Sequence, residues 1–400
     1  MATRKYFPRH AALCGLGLAA LALLLPAREL PASEPWAFTA PVPRRVQAEL
    51  DTAPIIEQAS KFFLEAQQAF VEGQWKKAEQ LIQKADATAP GSPIIIALAG
   101  RIYNNTESFG LALEAWNRLL DQYPNHPTFL AERSGTLMLL NRDADAEKAL
   151  RRAVRFAPTD LTTHYFQIMA AIRNNDLETA GKISANLTNP ELLEISKRLL
   201  SEQKLVTRMV REAGFAAYAK ALFSLPDTAN PDTALSTIAD ELAALKQPMQ
   251  SGNWTTAILH LQNIRKAGAA HPALYYDLSF CAYFITPSDK RLDDLEKFVA
   301  SERGHAFARY FIYLSLFGGH FDRALHIVNT ALSDAKDEEV TLIRAAIAYG
   351  TNHADEAWKD LDQIPLALRP ATDSWFARDI PVIRAIKEDP RYERWKIGEP

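Results

Sequence analysis

Small and apolar residues recur along residues 59 to 190 with a period of 34. Ala78, Ala112, Ala146 and Ala180 mark the period, and Pro90, Pro124 and Pro158 follow the first three at a constant offset of twelve. Twelve residues before each alanine stand Ala66, Gly100, Ser134 and Ile168. Nine before stand Ala69, Tyr103, Leu137 and Ala171, and seven after stand Ala85, Leu119, Ala153 and Leu187. Residues three, four and seven apart share one face of a helix, so these columns predict one buried seam per helix and two helices per period. The small column falls where two helices cross closely. Trp75, Phe109 and Leu177, three before the alanine, fill the space between helices, while Asp143 breaks that column. The prolines cannot continue a helix and so end the second one. Helix pairs are expected over residues 59–89, 93–123, 127–157 and 161–188, with the four alanines buried at the crossings. A unit of this kind hides its apolar face only by stacking on its neighbours, which makes the fold class all-α, an α-solenoid.

The columns resemble the tetratricopeptide repeat family. The first unit carries Ala66, Ala69, Gly73, Trp75, Ala78, Ile82, Ala85 and Pro90 in the family's order, and the second Gly100, Tyr103, Phe109, Ala112, Trp116 and Pro124. The fourth departs, with Pro190 two residues early and Ser184 in place of a large apolar residue. The resemblance, of the bacterial envelope type, implies a non-catalytic scaffold without cofactor, in which the first helix of each unit lines a concave groove. The matching positions are Phe63, Gln67, Phe70 and Val71, then Ala97, Arg101, Asn104 and Asn105, then Ala131, Gly135, Met138 and Leu139, then Tyr165, Met169, Ile172 and Arg173. Of these, Phe63, Gln67, Phe70, Arg101, Asn104, Asn105, Met138, Tyr165, Met169 and Arg173 form the expected partner-binding set. The lysines with which some members grip a terminal carboxylate are absent. An amphipathic or extended segment of a protein partner is the expected occupant, unless some of the apolar residues pack on a neighbouring helix or on the chain's own linker.

Beyond residue 190 the phase is lost. Leu192, Leu193, Ile195, Leu199 and Leu200 still give a helical stripe, and Pro226 and Pro231 divide the stretch. A weaker set of columns follows: Trp254 with Ala257, Phe321 with Ala324, and Ala357 with Leu361, with a degenerate unit over 273–300. The expected organisation is a repeat array over 54–190, an irregular helical connector over 191–247, a degenerate array over 248–365 and a capping segment over 366–400. Asp389, Pro390, Arg391, Tyr392, Glu393 and Trp395 resemble the segment that closes the last repeat in bacterial members of the family, which implies a cover for the open apolar end of the stack.

The first residues read differently. Arg4, Lys5, Arg9 and His10 precede an uncharged apolar run from Ala11 to Ala27. That is the order of a secretory signal, and the run also sits at the lower limit for spanning a bilayer. Residues 1–32 are therefore expected to be a signal peptide or an amino-terminal membrane anchor, followed by a Pro-rich linker over 33–53, in an exported protein of the periplasm or cell envelope. Their removal would take away four basic residues and one acid, moving the net charge from -3 to -6. A mildly acidic chain argues against nucleic acid, and it offers membranes no contact beyond this segment.

Candidate chemistry changes the picture little. The sequence holds no Gly-rich phosphate loop, no paired histidines at ligand spacing and no nucleophile elbow. Cys281 sits among apolar residues, which predicts a buried thiol, and neither a metal site nor a catalytic set is expected. One alternative surface is aromatic: Tyr275, Tyr276, Phe280, Tyr283 and Phe284, then Tyr310, Phe311, Tyr313, Phe317 and Phe321. Pointing outward together, these rings would suit a component of polysaccharide export that contacts glycan; at helical spacing they equally describe a core.

Overall fold

A computed structural model describes residues 57–226, 230–335 and 337–398, and the segments expected to act as signal or anchor and as linker lie outside them. The described residues are helical, with no β-strand among them. Four helix-turn-helix pairs come first: α1 (Glu57–Val71) with α2 (Trp75–Thr88), α3 (Pro93–Asn105) with α4 (Phe109–Gln122), α5 (Pro127–Leu139) with α6 (Asp143–Phe156), and α7 (Leu161–Arg173) with α8 (Leu177–Ala185). They match the expected pairs to within a few residues. Ala78, Ala112, Ala146 and Ala180 are all buried at the crossings. The small column is needed for close approach: a Cβ on Gly100 would stand 2.6 Å from the Trp116 ring, and one on Gly135 would overlap Phe166.

Each pair turns through one device. The Gln74 N–H donates to the Ala69 carbonyl, and the same bond runs from Ser108 to Tyr103, from Arg142 to Leu137 and from Asp176 to Ala171, at 2.8 to 2.9 Å. The residue before each donor, Gly73, Glu107, Asn141 or Asn175, is left-handed, with φ between 58° and 72°. This closure satisfies carbonyls that the helix end would otherwise leave open. It returns at Gly252, Gly319 and Asn352, where Asn253, His320 and His353 donate to Pro248, Ser315 and Ala348. The degenerate half is thus built from the same turn.

The second array pairs α12 (Pro231–Ser251) with α13 (Trp254–Lys266), α14 (Pro272–Ile285) with α15 (Asp289–Ala300), α16 (Ala308–Gly318) with α17 (Phe321–Ala331), and α18 (Glu338–Gly350) with α19 (Ala354–Asp362). Its first helix runs through Pro248, so the pair straddles the boundary drawn at 247. The repeat columns mark only the second helix of that pair. The α14–α15 unit lacks the left-handed turn and joins through Pro287, with Ser288 accepting from the Arg291 N–H to start α15.

Between the arrays lie α9 (Asn189–Ser201), α10 (Gln203–Val210) and α11 (Gly214–Phe223). They do more than connect. α10 packs on α5 and α7, α11 on α7 and α8, and α9 on α7 and α12, so one apolar core runs from Phe109 to Trp395. Ser184, the residue out of pattern in the fourth unit, is buried and donates to the Leu222 carbonyl at 2.6 Å, while its own carbonyl meets His271 Nε2 at 2.7 Å. Asn189 donates to Asp277 at 2.6 Å. A polar seam thereby joins the end of the first array to α14 of the second.

The chain ends in α20 (Asp373–Phe376), α21 (Pro381–Glu388) and α22 (Arg391–Ile397). Trp395 donates to the Leu361 carbonyl at 3.0 Å and packs with Phe376 and Tyr392 against the end of the stack. α21 lies instead on α16 and α18, the first helices of the last two units.

Candidate partner-binding groove

The groove columns run from exposed to buried as the units succeed one another. In the last column Val71 is 76% exposed, Asn105 half-buried, Leu139 3% exposed, and the Arg173 side chain 3% exposed. In another, Gln67 is exposed, Arg101 half-buried, and Gly135 and Met169 fully enclosed. The cause is α10. It buries Leu205, Val206, Met209 and Val210 against α5 and α7 and turns Lys204, Thr207 and Arg208 outward. Lys204 and Arg208 both reach Glu107, at 2.6 and 3.2 Å, and Arg173 donates to the Met209 carbonyl and to Asp143.

A buried ion cluster fastens this arrangement. Arg198 of α9 lies 3.0 Å from Glu132 and 2.9 Å from Glu202, and Arg101 meets Glu202 at 3.2 Å. The Tyr165 hydroxyl donates to Glu202 at 3.1 Å, and the Arg198 guanidinium stacks over the Tyr165 ring at 4.3 Å. Burial pushes the Glu202 carboxyl up, but Arg198 and Arg101 more than offset it and hold it below its usual range. Burial likewise drives Tyr165 well above the ordinary phenol, reinforced by the negative Glu202. Two cations match two carboxylates, so nothing in the cluster is left free to act as acid, base or nucleophile.

The second array repeats this solution. Arg309 lies 2.7 Å from Glu339, Arg378 lies 3.5 Å from it, and Tyr313 donates to it and accepts from Trp375 at 3.0 Å. Here too a returning segment, leading into α21, is pinned to first helices by an arginine, a glutamate and a tyrosine.

Among the described residues a cleft of about 700 Å³ stays open between α1 and α9, across α3 and the first turns of α5 and α7. Phe63, Gln67, Phe70 and Val71 of α1 form one wall, and Glu194, Ile195, Lys197, Arg198 and Ser201 of α9 the other. Arg101, Phe129, Glu132, Leu161 and Tyr165 lie between them. Arg101 also stacks on Phe70, its guanidinium carbon 5.2 Å from the ring centre, and its Nε is buried without a partner.

The expected partner-binding set therefore divides. Phe63, Gln67, Phe70 and Arg101 line the open cleft, and Tyr165 reaches its floor, although only 1% exposed. Met138 and Met169 are core residues beneath α10, out of reach of any partner. Asn104 is buried and hydrogen-bonds Thr136, whose hydroxyl also accepts from Trp116 at 3.0 Å. Asn105 caps the Arg101 carbonyl at 3.0 Å, and Arg173 is spent on α10 and Asp143. The repeat phase places first helices on the groove side, but it carries no trace of a later segment returning onto them. The amphipathic pattern of residues 203–210 was the available signal.

The aromatic alternative loses its surface. Tyr276, Phe311 and Tyr313 are buried, Phe280, Tyr283, Phe284, Tyr310 and Phe321 are half-buried, and of this set Tyr275 and Phe317 are exposed. The rings pack on one another and on Trp254 rather than facing outward together. Cys281 is buried against Met249, and burial pushes its thiol up, away from reactivity. Among the described residues no group of three histidines, cysteines or carboxylates is placed to hold a metal, and no helix is long and apolar enough to cross a membrane.

No family model matches the chain, and no curated protein matches its sequence. One solved structure it is similar to is described as the "Crystal Structure of P58(IPK) TPR Domain at 2.5 A". The match covers 76% of this chain and 99% of that one, at 11% identity and a TM-score of 0.25. The fold assignment stands on the chain's own geometry: an all-α solenoid of helical repeats, with paired helices, buried small crossings and one recurring turn.

Proposed function

We propose that the protein is a non-catalytic interaction scaffold that holds a segment of a partner protein in the cleft between α1 and α9. The observation that carries this reading is the contrast between closed and open groove. α10 covers the later turns of the first helices of units three and four, while α1 presents Phe63, Phe70 and the largely exposed Val71 to an open cleft. Apolar side chains lining a concave site beside a few polar ones are the usual makings of a binding surface. A photo-crosslinker at Gln67, inside the cleft, is expected to capture a partner that the same group at Leu64, exposed on α1 but outside the cleft lining, does not capture. Equal capture from both positions would remove the cleft from the reading.

The cell envelope is the proposed place of work, supported by the basic start and the apolar run from Ala11 to Ala27. A reporter active only outside the cytoplasm, fused after residue 50, is expected to work with residues 1–32 and fail without them. The mass of the purified protein distinguishes cleavage from anchoring.

A further inference from the structure

The two walls of the cleft differ in chemistry. α1 offers Phe63, Phe70 and Val71, two turns of apolar surface on one helix face, whereas α9 offers Glu194, Lys197 and Ser201. We infer that the cleft receives a single amphipathic α-helix of a partner protein, its apolar stripe on α1 and its charged side towards α9. The inference rests on the scaffold reading above and adds the conformation and chemistry of the guest.

Three observations lead to a helix rather than an extended strand. The first is continuity. In units three and four this same groove already holds an amphipathic helix, α10, with Leu205, Val206, Met209 and Val210 inward and Lys204, Thr207 and Arg208 outward. The second concerns the backbone. An extended guest brings peptide N–H and C=O groups that must find partners in the groove. Of the uncharged polar side chains lining the cleft, Thr128 donates to Asp160 and Ser201 to the Arg198 carbonyl, which leaves Gln67 and Thr162 to serve a backbone that presents a donor and an acceptor at nearly every residue. A helix arrives with its interior peptide groups already bonded. The third is charge. Glu194 and Lys197 form an exposed pair on the α9 wall, 2.9 Å apart, able to exchange partners with charges of either sign on the polar side of a guest helix.

Two display libraries presented to the full chain test this. One encodes 16-residue peptides with apolar residues at helical spacing, and the other 10-residue peptides held extended by alternate prolines. Helical peptides are expected to be enriched and to gain helical circular dichroism on binding. A proline in the middle of the peptide should weaken binding more than 10-fold, and one at its first residue less than 2-fold. Val71→Glu, at an exposed position that leaves the fold intact, should cost more than 10-fold in affinity; Phe70→Ser serves as the second variant. Enrichment of extended peptides that still depend on Val71 would overturn the helix while leaving the scaffold reading in place. Binders from neither library depending on Val71 or Phe70 would overturn both. Trp36 and Phe38 are the aromatic residues of the segment over 33–53; tighter peptide binding by a chain carrying Trp36→Ser and Phe38→Ser would give the cleft to that segment, and so overturn the inference.

Discussion

Units one and two and units three and four are built alike, from helix pairs joined by the same left-handed turn, yet their groove faces have opposite fates. Val71 looks into solvent, while Leu139, two periods on, is core. Gln67 is exposed, while Met169, three periods on, is sealed. The repeat itself does not decide this. A segment after the last unit returns onto the first helices, and the second array meets the same fate when α21 settles on α16 and α18. A solenoid that covers its own groove gains core, and what it leaves uncovered becomes its means of contact.

The sharpest way to break this comparison is to unfasten the closed half. Arg198→Ala leaves Glu132 and Glu202 buried without their common cation and should cost about 3 to 5 kcal/mol in urea unfolding. In the wild type the depressed Glu202 adds stability that is present above its ordinary range and is lost as pH falls. Without Arg198 the preference weakens or inverts, because burial favours the protonated Glu202 carboxyl. The penalty should therefore shrink on acidification; a penalty constant with pH, or below about 1 kcal/mol, would mean that the cluster does not hold α9 and α10 in place.

One groove column supplies an internal control. Met169→Ala should cost about 2 to 5 kcal/mol, the loss expected for a truncated core side chain. Gln67→Ala, three periods earlier in the same column, should stay within about 0.5 kcal/mol. Similar losses at both sites would erase the distinction between closed and open halves.

The seam between the arrays sharpens the comparison through pH. Burial pushes His271 down to about 4 from 6.5, and burial pushes Asp277 up to about 7 from 3.8 despite the Asn189 donor. Between pH 6.5 and 4 the unfolded chain binds the histidine proton that the folded chain refuses, so His271 removes stability as pH falls through that window. Between pH 3.8 and 7 the folded chain keeps the Asp277 proton that the unfolded chain releases, so Asp277 removes stability as pH rises. The two oppose each other. Asp277→Asn, which keeps the acceptor for Asn189, should raise the thermal midpoint at pH 8 and leave it unchanged near pH 4; an equal gain at both values would mean that Asp277 does not titrate across this range.

The smallest effect is expected at Glu107. It is a non-glycine residue at φ 61°, where its counterpart in the first unit is Gly73, and its carboxylate holds Lys204 and Arg208 at the surface. Exposed pairs contribute little, whereas a left-handed backbone is unfavourable for a residue with a Cβ. Glu107→Gly should raise the thermal midpoint slightly. A clear drop would show that the tether to α10 outweighs the strain at the turn.

Much of this molecule was legible before any coordinates. The 34-residue phase, with Ala78, Ala112, Ala146 and Ala180 at fixed offsets from proline, determined the helix pairs, the crossings and the solenoid, because helical periodicity and the need for small residues at close contacts act within a unit and between neighbours. The turn column was legible only in part: Gly73, Asn141 and Asn175 suit a left-handed conformation, but Glu107 hides the pattern. The tertiary structure alone decided which groove faces stay open. That depended on Leu205, Val206 and Met209 meeting α5 and α7, and on Arg198 finding Glu132 far back along the chain. Such contacts join residues of unrelated phase. A periodic pattern records what repeats, and the returning helix occurs once.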